Sequence, residues 1–431
     1  MTATDDTAPP QPSGQSTASE TSAHSSSNVV LMLASMVSGV VFGHFFPDMR
    51  DTMASFGKLF MALLQMCALP MVIVSVIVAP KRLMSANDTN SRAGRLLLLR
   101  FLSSLLLGVS IALVAGMVIR PGNGLDLVAL DFIDRSYAGV QGGIEQGAAK
   151  DVDLVFFLIQ VVPDNIFTAL SAGNVASIMF FCLFAGAALT KVTRGAPQQY
   201  FFGLCDEIEK AISVLLSWFM RILPLGLFCL AGSQIQDFDS PIMHALRNFL
   251  LALTVCYLVM LSVYAVLFIR SSRTGLMAGL KEIGRPFLIA VGTQSSLASL
   301  PAIRETLGRQ KRLRGDITSF SAAIGITLNP AGSVAFYALA ALFLLQIYDV
   351  SLTPITLVIL CLGTVLAGVA GVSVPGLAAL NLLSIVAEPL ALPHAPVVFL
   401  LTGIYPLLDS AMTGVNVAAN TAISALLGKT Q

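Results

Sequence analysis

The chain has 431 residues, 55% of them hydrophobic and only 11% charged, with a mean hydropathy of +0.82. That composition excludes an ordinary water-soluble domain and points to an all-α integral membrane protein that crosses the bilayer several times. A formal net charge of +1 carries no global basic or acidic bias, so no nucleic acid is expected as a partner.

Residues 1–28 are rich in Ser, Thr, Pro and Ala, with no Lys or Arg and no apolar run. They lack the parts of a signal peptide and read as a disordered tail. From Val29 onward six apolar runs, at 29–46, 54–79, 96–119, 152–190, 205–233 and 247–270, read as membrane spans. The fourth is too long for a single crossing and contains Pro163 and Gly173, so it is expected to break into shorter pieces. Lys and Arg concentrate in alternate loops (Lys81 to Arg95, Lys191 and Arg194, Arg270 to Arg285, Arg304 to Arg314). The positive-inside rule then places both termini in the cytoplasm of a multi-pass protein of the plasma or inner membrane.

Beyond Arg285 the pattern changes. Two segments interrupted by small polar residues, Gly and Pro, GTQSSLASLPAIRE (292–305) and AGVAGVSVPGLAAL (367–380), are each followed by a helical stretch containing polar residues. Irregular backbone at membrane depth is tolerated only where protein buries it or it lines a cavity, and paired interruptions of this kind mark a transporter's binding site. The expected order is a re-entrant hairpin at 283–308, a seventh helix at 315–348, a second hairpin at 355–393 and an eighth helix at 396–428. In the last of these, Asp409, Met412, Thr413, Asn416 and Asn420 stand at offsets of 0, 3, 4, 7 and 11, which one helix face collects into a stripe. A carboxylate at the bilayer centre costs about 2.5–3.5 kcal/mol even on the mild insertion scale, so Asp409 should face a bundle interior or a wet cavity.

The six cysteines have no CxxC spacing and read as buried hydrophobes, and four isolated histidines give no metal motif. An intramembrane hydrolase would need a base beside a nucleophile, and no Ser-His, Ser-Lys or paired-Asp arrangement is legible. An enzyme is therefore not expected.

TQSSLASLP (293–301), NPAGS (329–333), GVSVPG (371–376) and DSAMTGVNVAAN (409–420), in that order, resemble the four site motifs of the dicarboxylate/amino acid:cation symporters, the glutamate transporter family. The likeness extends back through KLFMALLQMCALPMVIVSVI (58–77) and PDNIFTALSAGNVASIMFFCLFAGAAL (163–189). It implies eight transmembrane helices plus two re-entrant hairpins built as inverted repeats. Residues 29–270 would supply the scaffold and part of a transport domain, 271–431 the transport core, and the assembly would be a homotrimer.

For the site, the resemblance implies that Asp409 holds a substrate's α-amino group and that Asn416 contacts its α-carboxylate. Ser295 and Ser296 would add donors from the first hairpin, Val372 to Gly376 would form a lid, and Met412 and Thr413 would line the pocket. Cation ligands would come from Gly325, Thr327, Asn329, Gly368, Val369, Gly371, Asn416 and Asn420. Three departures stand out. Met412 occupies the place of an arginine that grips an acidic side chain, and Ala331 and Asn420 replace two acidic residues of sodium sites. A thioether cannot imitate the bidentate grip of a guanidinium.

The expected function is thus a secondary active symporter of a neutral amino acid, working by an elevator-type mechanism. Coupling would be to sodium or a proton, with no other cofactor. The alternatives are a symporter of dicarboxylates or acidic amino acids, and an uncoupled facilitator or anion-conducting channel on the same fold.

Overall fold

The computed structural model describes residues 31, 34–35, 37–87, 91–123, 161–192, 195–233, 241–372, 374, 376–390, 392–402 and 404–429. The tail expected at 1–28, most of the loop after Pro121, and Ser373 and Pro375 lie outside the described residues. The described chain is helical, without a named strand. The first helix, α1, covers 37–45. It is followed by α2 (Arg50–Asn87), α3 (Ser91–Ile119), α4 (Ile166–Ala172), α5 (Val175–Val192), α6 (Ala196–Arg221), α7 (Leu223–Ser233) and α8 (Pro241–Ser272). Then come α9 (Leu276–Thr293), α10 (Leu300–Gly308), α11 (Gly315–Leu328), α12 (Ala331–Ile347) and α13 (Pro354–Gly371). A 3₁₀ stretch (Gly376–Leu383), the short α14 (Ser384–Ala387), α15 (Ala395–Thr402) and α16 (Tyr405–Leu427) complete the order.

Among the described residues five helical stretches are long and apolar enough to cross a membrane, and a bent pair, α6 with α7, makes a sixth. The stretch Ile317–Ile347, which joins α11 to α12, is 94% buried, against 33–44% for the other four. It is the axis around which the rest pack. Such a helix, apolar on every side, needs protein all round it. Large apolar side chains such as Phe56, Trp218, Leu258 and Leu362 are left on the outside, where hydrocarbon can cover them.

The axis is interrupted by its own sequence. Pro330 lacks an amide donor and drives the residue before it out of the helical region, and Asn329 accordingly takes φ −127° and ψ 55°. α11 ends there and α12 starts again at Ala331. Around this break the neighbours approach closely. The Gly108 position of α3 is so near the Ala331 carbonyl that a Cβ there would lie 2.9 Å from its oxygen. α3 is joined to α8 by the buried pair Ser104–Tyr264, with hydroxyls 2.9 Å apart.

Several elements differ from their sequence reading. α2 does not stop at residue 79 but continues through Lys81 to Asn87. The fifth apolar run bends by 59° between α6 and α7, because Pro224 removes a donor at the start of α7. The fourth run does break at Pro163 and Gly173, where Gly173 caps α4 in the left-handed region at φ 70°. The stretch 396–428, read as one helix, is two: α15 ends at Thr402, and α16 begins at Tyr405 with Pro406 in its first turn.

Candidate functional site

The polar face of α16 meets the break in the axis. Asn416 Oδ1 accepts from the backbone amides of Gly332 (2.7 Å) and Ser333 (3.1 Å), and its Nδ2 donates to Ser333 Oγ (2.9 Å). These are orphan donors of a helix start, so Asn416 acts as an N-cap supplied from another helix. From the other side, the Tyr257 hydroxyl of α8 donates to the Gly332 carbonyl at 3.1 Å. One turn further along α16, Asn420 is 1% exposed and donates through Nδ2 to the Ala322 carbonyl of α11 at 2.8 Å. Its Oδ1 lies against Gly325, where a Cβ would collide with it. Gly325→Ala is therefore expected to push α11 away from α16 and to destabilise the protein by about 1–3 kcal/mol, seen as a lower thermal midpoint in detergent.

Asn329 stands at the break itself. It is 1% exposed, and neither amide atom of its side chain has a hydrogen-bond partner. A buried carboxamide with both ends unpaired is costly, so this one calls for a partner from outside the chain. Thr327 is half-buried just before it on α11. Gly368 of α13 packs against Val334 of α12, while a Cβ on Gly371 would lie 3.1 Å from the Tyr337 hydroxyl. Val369 and Val372 are half-buried on the same segment. The Tyr337 hydroxyl donates to the Ala379 carbonyl at 2.7 Å and so ties α12 to the 3₁₀ stretch that begins at Gly376.

Asp409 is half-buried on α16, with Met412 (5% exposed) and Thr413 (6%) one turn on. Three buried tyrosines stand nearby: Tyr405, one turn before Asp409 on α16, packs with Tyr337 against Phe336 of α12, and Tyr257 is the one bonded to Gly332. Ser295 and Ser296 occupy the turn between α9 and α10, both half-buried. Their hydrogen bonds stay within that turn: Ser295 Oγ accepts from the Ala298 amide at 3.3 Å, and the Ser296 carbonyl accepts from the Ser299 amide at 3.2 Å. The turn reaches α16 through a different residue, Gln294, whose Nε2 donates to Ser410 Oγ at 2.9 Å.

The structure therefore gathers Gly325, Asn329, Asn416 and Asn420 at the axis break, with Gly368 and Gly371 on its far side. Among the described residues no hydrogen bond joins Ser295 or Ser296 to Asp409. Sequence reasoning missed Gln294, Ser410 and the three tyrosines. Ser410 could have been suspected from its place beside Asp409; Tyr257 lies on a helix more than 150 residues earlier, with no local signal.

A bundle of apolar helices whose buried polar groups converge on interruptions of the backbone is the build of a membrane transporter. Residues 29–430 match the sodium:dicarboxylate symporter family, and the chain belongs to it. It is accordingly a multi-pass membrane symporter and not an enzyme. It is 28% identical over 353 residues to the C4-dicarboxylate transport protein of Rhodospirillum rubrum, covering 80% of this chain and 76% of the relative. It is 27% identical over 409 residues to the proton/sodium-glutamate symport protein of Bacillus caldotenax, covering 93% and 92%. The C4-dicarboxylate transport protein of Azorhizobium caulinodans is 26% identical over 350 residues.

Proposed function

We infer that this symporter carries a neutral amino acid, held by its ammonium at Asp409 and by its carboxylate at the Asn416 end of the site. The observation that carries the reading is one of charge. From Gly315 to Gly428 the sequence has no Lys or Arg, so α11, α12, α13 and α16 offer Asp409 no counter-ion of their own. A ligand with a positive group stabilises that carboxylate, and a second carboxylate on the ligand would find no cation on these four helices. Asn416 suits the other end. Its oxygen has spent both acceptor sites on α12, and of its two N–H donors one is used, which leaves one for a ligand carboxylate. The relatives named for C4-dicarboxylates and glutamate support the carboxylate half of this substrate class.

Met412→Arg is expected to shift preference toward aspartate or glutamate over alanine or serine by roughly ten-fold or more, because it adds a bidentate carboxylate donor to the wall. Competition assays with reconstituted protein measure it. Aspartate transport by the native chain as efficient as that of neutral amino acids would remove the reading in favour of an acidic substrate.

For the coupling ion, sodium or a proton, the support is at Asn329. Hard cations take oxygen ligands, and Asn329 Oδ1 is a buried acceptor without a protein donor beside the carbonyl end of α11. Asn420 Oδ1 accepts from Ser424 Oγ at 3.4 Å and Asn416 Oδ1 is filled by two backbone amides, so of the three amide oxygens that of Asn329 is the one left open to a cation. One side-chain-assisted cation site fits this wall better than several. The architecture that accompanies the reading is eight spans with two re-entrant hairpins, α9–α10 and α13 with the following 3₁₀ stretch, in inverted repeats. Both termini are cytoplasmic, the assembly is a homotrimer, and the 271–431 core moves as an elevator.

A further inference from the structure

We propose that Gln294 is a positioning residue for Asp409, setting the first turn of α16 from the turn that follows α9. The proposal rests on the reading of Asp409 as the ammonium site. Gln294 has φ 51° and ψ 31°, the left-handed region in which glycine or asparagine is usual. A long side chain in that conformation is strained, and such strain persists where its surroundings hold it in place. The turn has other means of closing. Thr293 Oγ1 donates to the Ile289 carbonyl at 2.7 Å, and Ser299 Oγ donates to the Ser295 carbonyl at 3.1 Å.

What a glutamine adds is reach across to α16. Its Nε2 donates to Ser410 Oγ at 2.9 Å, and Ser410 is 7% exposed and bonded in sequence to Asp409. The contact has a rigid base. Gly414, one turn beyond Ser410, is so close to α9 that a Cβ there would lie 2.6 Å from Val291 and 2.7 Å from the Phe287 ring. Phe287, Val291 and Gln294 fall on one face of α9 and its cap, at offsets of 0, 4 and 7; Ser410 and Gly414 answer them on α16. With that side of α16 pinned to α9, Asp409, about 100° round from Ser410, shares the face of Tyr405, whose ring packs against Phe336 of α12. The Gln294–Ser410 bond closes the upper end of this seam and fixes the rotation of the turn that carries the acid.

The test compares Gln294→Gly, Ser410→Ala and the double variant in reconstituted full-length protein. Uptake of alanine and serine, binding of an amine-free monocarboxylate, and thermal stability are read on each. Glycine suits the left-handed conformation, so Gln294→Gly is expected to keep or raise the thermal midpoint. It is also expected to raise KM for the amino acid roughly three- to ten-fold with Vmax unchanged, through loss of the part-buried bond to Ser410, and to leave the amine-free ligand unaffected. Ser410→Ala should give the same KM change, and the double variant no more than either alone. An unchanged KM, additive losses, or equal losses for the amine-free ligand would overturn the proposal. Asp409→Asn separates it from the reading beneath: if that variant binds amino acids normally, the ammonium site itself is wrong, whatever Gln294 does.

Discussion

Asp409→Asn is expected to weaken amino acid binding by roughly 10- to 150-fold while leaving the protein folded. A charge-assisted hydrogen bond contributes about 1.5–3 kcal/mol, and the isosteric amide keeps the volume but not the charge. The expectation follows from the arrangement on α16. Nothing cationic on α11, α12, α13 or α16 compensates Asp409, and in the proposed reading the substrate's ammonium is the group that does. Isothermal titration or a ligand-induced thermal shift on purified protein gives the result directly, since a ligand that binds the native state raises its stability. The same variant should bind an amine-free carboxylate no worse than the native protein, because the lost interaction belongs to the amine.

Asn416→Ala is expected to have the largest effect on stability, a loss of about 2–4 kcal/mol. It leaves the Gly332 and Ser333 amides without their acceptor at a buried helix start, and each unsatisfied donor costs about 1–3 kcal/mol. Transport should fall with it, since the break at Asn329–Pro330 is held open by this cap. Asn416→Asp is the informative control. It keeps the acceptor and places a negative charge at a helix N-terminus, so it should restore stability while removing the N–H offered to a ligand carboxylate. Thermal unfolding together with uptake separates the two roles of one side chain.

The interruptions of the chain were legible in the sequence because they are local. Pro163 and Gly173 interrupt the fourth run through their own backbone chemistry, and the stripe from Asp409 to Asn420 follows from helical spacing alone. Long-range partners were not legible. That Asn416 caps α12, that Asn420 is bonded to Ala322, and that Tyr257 reaches the Gly332 carbonyl depend on which helices become neighbours, which no local pattern encodes. The division of 396–428 into α15 and α16 was hidden for a related reason. The residues on both sides are uniformly apolar, and Pro406 fits the first turn of a helix as readily as it interrupts one. Gln294 escaped notice because what distinguishes it is a backbone angle and a cross-helix bond to Ser410, neither written in its residue type.

The departures from the family's acidic-substrate pattern take on physical content in the same way. Met412 is buried in the core of the bundle, where its side chain offers van der Waals contact and no donor. Asn420 fits into the space beside Gly325 and is bonded on both sides by protein, with Ser424 Oγ donating to its oxygen at 3.4 Å. Together they describe a site with less charge on its walls, which suits a zwitterionic substrate and few coupling ions.

Uptake of alanine or serine by the purified protein in liposomes, under an imposed inward gradient of sodium or of protons, tests the central claim most directly. Accumulation above the external concentration, driven by one of those gradients and lost in Asp409→Asn, is the result predicted here. Mere equilibration under both gradients, or accumulation of succinate or aspartate in preference to the neutral amino acids, would contradict it.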